Sequence, residues 1–135
     1  MQKSKFNSLI NEGFNHIPLS KEVVIDTATP LALYLKLANN PYSYFLESVQ
    51  GGEKWGRYSF IGLAAETVIK VYNYEVQVEK NGKLIHEKLV EDPLAWIEEY
   101  QNQFKVPQLD SLPDFNGGLV GYFGYEIVRY IEPKL

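Results

Sequence analysis

The sequence predicts an α+β fold in which antiparallel β-sheet strands are flanked by helices. Two alternating segments meet at Asn81-Gly82, a dipeptide that favours the two-residue type I′ turn of a β-hairpin. Thr29-Pro30 and Asp92-Pro93 each predict the start of a helix, because a capping side chain is followed by a proline. Helical and strand patterns alternate along the rest of the chain, which is typical of a mixed fold with an antiparallel sheet.

The helices are predicted from apolar spacing and from their stop signals. Residues 3–12 carry Phe6, Leu9 and Ile10 at helical spacing, and Gly13 is the expected stop. The helix that starts after Thr29 is expected to end at residues 39–41 because Pro41 disfavours a helical conformation in the residue before it. The helix after Asp92 places one apolar face on Leu94, Ile97, Tyr100 and Phe104.

The strands are predicted from β-branched, aromatic or alternating runs. They cover residues 23–25, 42–48, 57–61, 68–72, 74–79 and 83–88. Residues 117–125 are apolar and glycine-rich, which predicts a buried strand that another backbone or a ligand approaches closely. The proline-containing residues 105–116 are predicted as a loop, and residues 126–131 as the beginning of a helix.

Composition limits the class of protein. The 135 residues predict one domain, spanning residues 1–135, and the net charge of −4 disfavours a nucleic-acid binder. Cysteine is absent, so no disulfide or thiolate zinc site is expected. The N-terminus lacks the apolar segment of a signal peptide, and the longest apolar stretch falls short of the roughly 20 residues that a membrane span needs. We therefore expect a soluble, cytoplasmic protein that does not bind membranes.

The sequence offers no convincing catalytic or metal-binding group. His16 and His86 lie 70 positions apart and have no metal-ligand spacing. The glycines of residues 117–124 match no phosphate-binding motif. Asp92 is better explained as a helix cap, and Glu98-Glu99 as a solvated helix face. Accordingly, we predict no catalytic residue and no metal site.

A binding site is predicted around residues 42–62. A strand there ends in Glu47-Ser48, and Arg57 follows shortly. A carboxylate pairs with an ammonium group and a guanidinium pairs with a carboxylate, so these residues would suit an amino acid, with Trp55 and Tyr58 as an apolar wall. The alternative is that Glu47 and Arg57 simply pair with each other across neighbouring strands.

Three separated motifs stand out in the sequence. They are Phe45-Leu46-Glu47-Ser48, then Gly56-Arg57-Tyr58-Ser59-Phe60-Ile61-Gly62, and finally Gly117-Gly118-Leu119-Val120-Gly121-Tyr122-Phe123-Gly124-Tyr125-Glu126. Together they resemble the N-terminal domain of anthranilate synthase component I, in the chorismate-utilising enzyme family. The resemblance covers residues 17–135 in the family's order. It implies the N-terminal portion of that family's α+β fold.

The resemblance also implies a function. The family's large component is a lyase of tryptophan biosynthesis that converts chorismate and ammonia to anthranilate and pyruvate. A glutamine amidotransferase supplies the ammonia, and Mg²⁺ acts in a C-terminal catalytic domain. The present chain would precede that domain, hold no cofactor and be inactive alone. Apolar surface left uncovered would favour a homodimer.

The resemblance further implies a regulatory site for L-tryptophan, the family's feedback inhibitor. Carried over by motif, its residues here are Leu46, Glu47, Ser48 and Arg57. Phe45 replaces the leucine that the family has at that position.

Three other interpretations stay open at this point. Aminodeoxychorismate synthase component I shares parts of the motifs. A free-standing amino-acid-binding regulatory module would bind tryptophan unaided. A purely structural domain would support a catalytic one without regulating it.

Overall fold

The chain forms two compact units, one of residues 24–89 and one that joins residues 1–23 to residues 90–135. The computed structural model describes residues 1–47, 58–113 and 115–132. Both sheets and one helix lie in the first unit, and the remaining helices lie in the second. The prediction of a single domain over residues 1–135 stays a prediction.

Helix α2, Pro30–Leu37, begins where the sequence predicts. The Thr29 hydroxyl accepts a hydrogen bond from the Ala32 amide at 3.2 Å, and Pro30 occupies the first turn, where its missing N–H costs nothing. The helix ends at Ala38, whose amide donates to the Tyr34 carbonyl at 2.8 Å. Capping and termination therefore agree with the local sequence.

Within the part of the chain that the structure describes, five strands form two antiparallel sheets, which together with the helices confirms the predicted α+β class. Strands β1 (Tyr44–Glu47) and β2 (Ser59–Gly62) pair with each other. A three-stranded sheet has the order β3 (Thr67–Tyr72), β4 (Glu75–Lys80) and β5 (Lys83–Leu89). The predicted strand ends at residues 48 and 57 lie outside the described residues.

The predicted hairpin turn is confirmed between β4 and β5. Lys80 pairs with Lys83, which leaves Asn81 and Gly82 as the two turn residues. Their φ angles are 51° and 72°, and a type I′ turn requires positive φ at both positions. Asparagine and glycine are the residues that adopt this conformation at least cost.

The core of the three-stranded sheet lies on one face of β4. Val76 and Val78 are buried there, while the residues that alternate with them are polar. A bulge interrupts the pairing with β5, because Val78 pairs with His86 whereas Glu79 pairs with Leu84. The alternation predicted for this strand is therefore confirmed.

The second unit contains α1 (Lys3–Asn11) and α3 (Pro93–Asn102). Gly13, at a φ of 91°, follows α1 as the predicted stop. At the start of α3, the Asp92 carboxylate accepts hydrogen bonds from the Leu94 and Ala95 amides at 2.9 and 3.1 Å. The predicted helix at residues 126–131 is present as a 3-10 turn, Tyr125–Ile127, followed by α4, Val128–Ile131.

Asn15 connects the segment after α1 to the segment after α3 through hydrogen bonds. Its side-chain amide donates to the Gln103 carbonyl at 2.7 Å, and its side-chain oxygen accepts from the Lys105 amide at 2.7 Å. The His16 ring packs edge-on against Phe104, with 4.7 Å between the ring centroids. One asparagine thus joins two parts of the chain that are about 90 residues apart.

We expect Asn15→Ala to lower the free energy of unfolding by about 1–2 kcal/mol, because both hydrogen bonds are lost at once. Asn15→Asp keeps the acceptor and loses the donor, so it should fall between the wild type and the alanine variant. The exposed Asn7, in α1, is the control, and its alanine variant should stay within about 0.5 kcal/mol of the wild type. Urea denaturation measures all three. Equal stability of Asn15→Ala and Asn7→Ala would contradict the expectation.

Two strand predictions are wrong. Residues 23–25 form no strand, and Val24 is 83% exposed, because three β-branched residues without a partner strand gain no hydrogen-bond ladder. Residues 117–125 are not a buried strand either: their side chains are exposed, and Tyr122 reaches 94%. Gly117 and Gly118 have φ angles of 148° and 135°, which are incompatible with a regular strand.

Among the described residues, no helix has the length and hydrophobicity needed to cross a membrane.

Candidate functional site

The candidate site is built on the pairing of β1 with β2. Tyr44 pairs with Gly62, Leu46 with Phe60, and Glu47 with Ser59. Glu47 is the last residue of β1, and Ser59 is the first residue of β2. The two polar side chains therefore lie opposite each other at the same end of this two-stranded sheet.

Ser59 orients the Glu47 carboxylate. Its hydroxyl donates to one carboxylate oxygen of Glu47 at 3.3 Å, as expected for two residues directly opposite each other in an antiparallel pair. Glu47 is exposed, and its carboxylate makes no ion pair within residues 1–47, 58–113 and 115–132. An ionised carboxylate accepts several hydrogen bonds, so capacity is left for a cationic ligand group.

The two faces of β1 have different surroundings. Phe45 stacks on Tyr34 of α2 with 5.6 Å between ring centroids, so this face packs against the helix. Successive residues of a strand alternate between faces, which places Glu47 on the Phe45 face and Leu46 on the opposite one. Leu46 is 48% exposed. On its face lies Phe60, whose ring is 6.0 Å from that of Tyr58.

Gly62 allows the Tyr44 ring to lie directly over β2. A Cβ atom at residue 62 would overlap the Tyr44 ring. Because Tyr44 and Gly62 are paired, an aromatic side chain packs over the glycine backbone at the other end of the same ladder. Gly62 therefore helps to hold the register that brings Glu47 opposite Ser59.

The structure describes two of the four predicted ligand residues. Leu46 and Glu47 are adjacent but project to opposite faces of β1. Ser48 and Arg57 lie outside the described residues, and so does the alternative pairing of Glu47 with Arg57. Ser59 was missed as a site residue, although its place in the second motif carried the signal.

The histidines and acidic residues considered from the sequence have other surroundings. His16 contacts Phe104, and His86 lies on the exposed strand β5 opposite Val78. Asp92 is confirmed as a helix cap. Within the described ranges, no group of three or more histidine, aspartate or glutamate side chains is arranged to hold a metal ion.

A second charged cluster lies on the polar face of the three-stranded sheet. Lys70 of β3 donates to Glu79 of β4 at 2.6 Å, and its ammonium lies 5.6 Å from the centroid of the Tyr42 ring. The hydrogen bond to Glu79, followed by that to Tyr42, raises the pKa of Lys70 above its ordinary 10.5. The pair is diagonal in the ladder, because Lys70 itself pairs with Gln77.

The raised pKa of Lys70 predicts how its contribution to stability depends on pH. A group whose pKa is higher in the folded than in the unfolded state stabilises the fold fully at a pH below its unfolded-state pKa. That stabilisation is lost as the pH rises through its folded-state pKa. We expect Lys70→Met to lower stability by a constant amount at neutral pH, and the difference from the wild type to shrink as the pH rises above the ordinary lysine pKa of 10.5. Urea denaturation of both proteins across this range measures it.

Lys83→Met is the control for this experiment, because Lys83 is exposed and forms no ion pair with another described residue. Its difference from the wild type should be smaller at neutral pH. A Lys70→Met difference that grows with increasing alkalinity would contradict the expected sign.

Comparison with known proteins identifies relatives that bear one name. The anthranilate synthase component 1 of Pseudomonas putida is 53% identical over 135 residues, which is 100% of this chain and 27% of that relative. The protein of the same name from Neisseria gonorrhoeae is 50% identical over 132 residues, 98% of this chain and 27% of the relative. The one from Aquifex aeolicus is 40% identical over 125 residues, 92% of this chain and 25% of the relative.

These similarities confirm the resemblance read from the sequence motifs. The chain spans about a quarter of the length of the curated relatives it matches. No protein-family model matches it, and no solved structure does.

Proposed function

Because the whole chain is homologous to part of anthranilate synthase component 1, we propose that it is the N-terminal part of such a component. The complete protein would act in tryptophan biosynthesis as a lyase, converting chorismate and ammonia to anthranilate and pyruvate. Its partner would be a glutamine amidotransferase that supplies the ammonia. We expect it in the cytoplasm.

We propose a regulatory role for the present residues, with L-tryptophan as the ligand. The observation that carries this role is the Glu47 carboxylate, which stands exposed at the end of β1 and is oriented by the Ser59 hydroxyl. An ammonium group binds well to a carboxylate that still has free acceptor positions. By resemblance, Leu46 would contact the ligand, and Ser48 and Arg57 would contribute a hydroxyl and a cation for its carboxylate.

Catalysis would belong to the C-terminal domain of the same polypeptide. The resemblance places the Mg²⁺ in that C-terminal domain, and the described residues of the present chain include no cluster suited to a metal ion. What these residues would contribute is inhibition: tryptophan held by Glu47 would stabilise a form of the protein with low turnover. An inhibitor acts in this way when its affinity differs between two conformations.

The test is an assay of anthranilate fluorescence with chorismate, ammonia and Mg²⁺. We expect no activity from the 135-residue chain, and activity that tryptophan inhibits from the full-length protein. Release of aminodeoxychorismate instead of anthranilate would assign the protein to the related synthase. Activity of the short chain by itself would overturn the assignment of catalysis to the other domain. Tryptophan binding by the short chain at full-length affinity would instead indicate a free-standing module.

Ser59→Ala tests the role of the neighbouring hydroxyl. Loss of one uncharged donor to Glu47 is worth about 0.5–1.5 kcal/mol, so the tryptophan concentration for half-inhibition should rise roughly 2- to 13-fold in the full-length protein. Ser59→Thr keeps the hydroxyl and is the control. Equal relief in the alanine and threonine variants would show that the hydroxyl does not orient Glu47.

A further inference from the structure

The sequence contains two asparagines that are followed directly by glycine, in Asn81-Gly82 and in Asn116-Gly117. Such a pair is chemically labile, because glycine has no side chain to hinder attack by its backbone nitrogen on the side-chain carbonyl of the asparagine. The reacting groups are the same in both pairs, so their reactivities differ only as far as their surroundings do.

Asn81-Gly82 is fixed by the hairpin between β4 and β5. Lys80 pairs with Lys83 across the turn. The Asn81 amide also donates to the Glu66 carbonyl at 2.7 Å. A type I′ turn keeps ψ of its first central residue near about 30°. Ring closure needs a different ψ, which turns the glycine nitrogen towards the asparagine side chain, so the hairpin turn must open before Asn81 can react.

Asn116-Gly117 lies outside every helix and strand. No backbone hydrogen bond joins residues 116–118 to another residue that the structure describes. Asn116 is exposed, and its side-chain amide nitrogen donates to the Pro113 carbonyl at 3.2 Å. Gly117 and Gly118 have φ angles of 148° and 135°, which glycine adopts far more readily than other residues. Rotation about ψ of Asn116 therefore breaks no strand pairing.

We propose that Asn116 is a site of spontaneous deamidation and that the hairpin protects Asn81 from the same reaction. The Gly117 nitrogen bonds to the side-chain carbonyl carbon of Asn116 and loses its proton. The bond from that carbon to the side-chain nitrogen breaks, and ammonia leaves with the proton. Water then adds to either carbonyl carbon of the cyclic imide and opens it, which gives aspartate or isoaspartate.

Both products change the start of the third motif, residues 117–126. Each product carries a new carboxylate, so the isoelectric point of a chain whose net charge is already −4 falls further. In isoaspartate the main chain runs through the former side-chain carbon, so an additional CH₂ group enters the backbone just before Gly117. The reaction thus alters both charge and chain path at this position.

The test incubates the full-length protein at mildly alkaline pH and follows deamidation by mass spectrometry of peptides. A protease that cleaves after glutamate separates the two asparagines, because it releases peptide 80–87 and peptide 100–126. Deamidation adds about 1 Da to a peptide. We expect Asn116 to react at least about tenfold faster than Asn81 in the native protein, because opening of the hairpin has a free-energy cost. In urea the two rates should become similar.

Asn116→Gln is the matched variant, because glutamine keeps the amide but would have to close a larger ring, which is much slower. The mass gain of peptide 100–126 should disappear in this variant. A gain that persists would come from another residue and would overturn the proposal. Native rates that are equal, or faster at Asn81, would overturn it as well. Reaction of both asparagines in urea and of neither in the native protein would show that Asn116 is also protected, which contradicts the proposal.

Discussion

In the full-length protein, Glu47→Gln is expected to raise the tryptophan concentration for half-inhibition about 10- to 150-fold while turnover stays nearly unchanged. A hydrogen bond to a charged group contributes about 1.5–3 kcal/mol, which corresponds to that change in affinity. Glutamine has the same shape and still accepts the hydrogen bond from Ser59, so the strand pair should persist. Inhibition curves at saturating chorismate measure the effect.

Glu91→Gln is the matched control, because it removes one exposed carboxylate in the turn before α3. Its inhibition curve should match that of the wild type. If Glu47→Gln also leaves inhibition unchanged, Glu47 does not bind the ligand. If turnover and inhibition fall together, Glu47 supports folding and not regulation.

Gly62→Ala is expected to destabilise the protein by about 1–3 kcal/mol, which is the usual cost of forcing extra atoms into a packed position. The new Cβ would overlap the Tyr44 ring, which must then leave its place over β2. Because the described pairing of β1 with β2 runs from Tyr44–Gly62 to Glu47–Ser59, the displacement should also weaken the pairing of Glu47 with Ser59. Urea denaturation measures the loss of stability.

Gly121→Ala is the control for the added methyl group, since a Cβ at residue 121 meets no atom within 4 Å. It should change stability by less than about 0.5 kcal/mol. In a Tyr44→Ala background, Gly62→Ala should cost much less than in the wild type, because the ring that it displaces is gone. Equal costs in both backgrounds would show that Tyr44 is not the reason for the glycine.

The elements best predicted from sequence are those that begin or end with a specific local interaction. Thr29 and Asp92 cap their helices through hydrogen bonds to amides two or three residues away, so the signal and the structure lie within one turn. The Asn81-Gly82 turn is equally local, because it depends on two positive φ angles. Such local features form in the same way whatever tertiary contacts the rest of the chain makes.

The prediction for residues 117–125 failed because it rested on composition alone. Apolar and aromatic residues favour a strand only where a second strand completes the hydrogen bonds. In the described structure, Tyr122 is almost fully exposed and Gly117 has a backbone conformation that no strand adopts. A sequence pattern indicates which residues favour burial, but it does not show which other part of the protein would cover them.

The sequence by itself determined the α+β class, the helix caps, the hairpin turn and the family resemblance, because each depends on a short run of residues. The tertiary structure decided which side chains meet. The register of β1 against β2 brings the Ser59 hydroxyl to Glu47, and the diagonal in the β3–β4 ladder joins Lys70 to Glu79. Register depends on packing across strands, as between Tyr44 and Gly62, and a shift of one residue would turn every side chain to the other face.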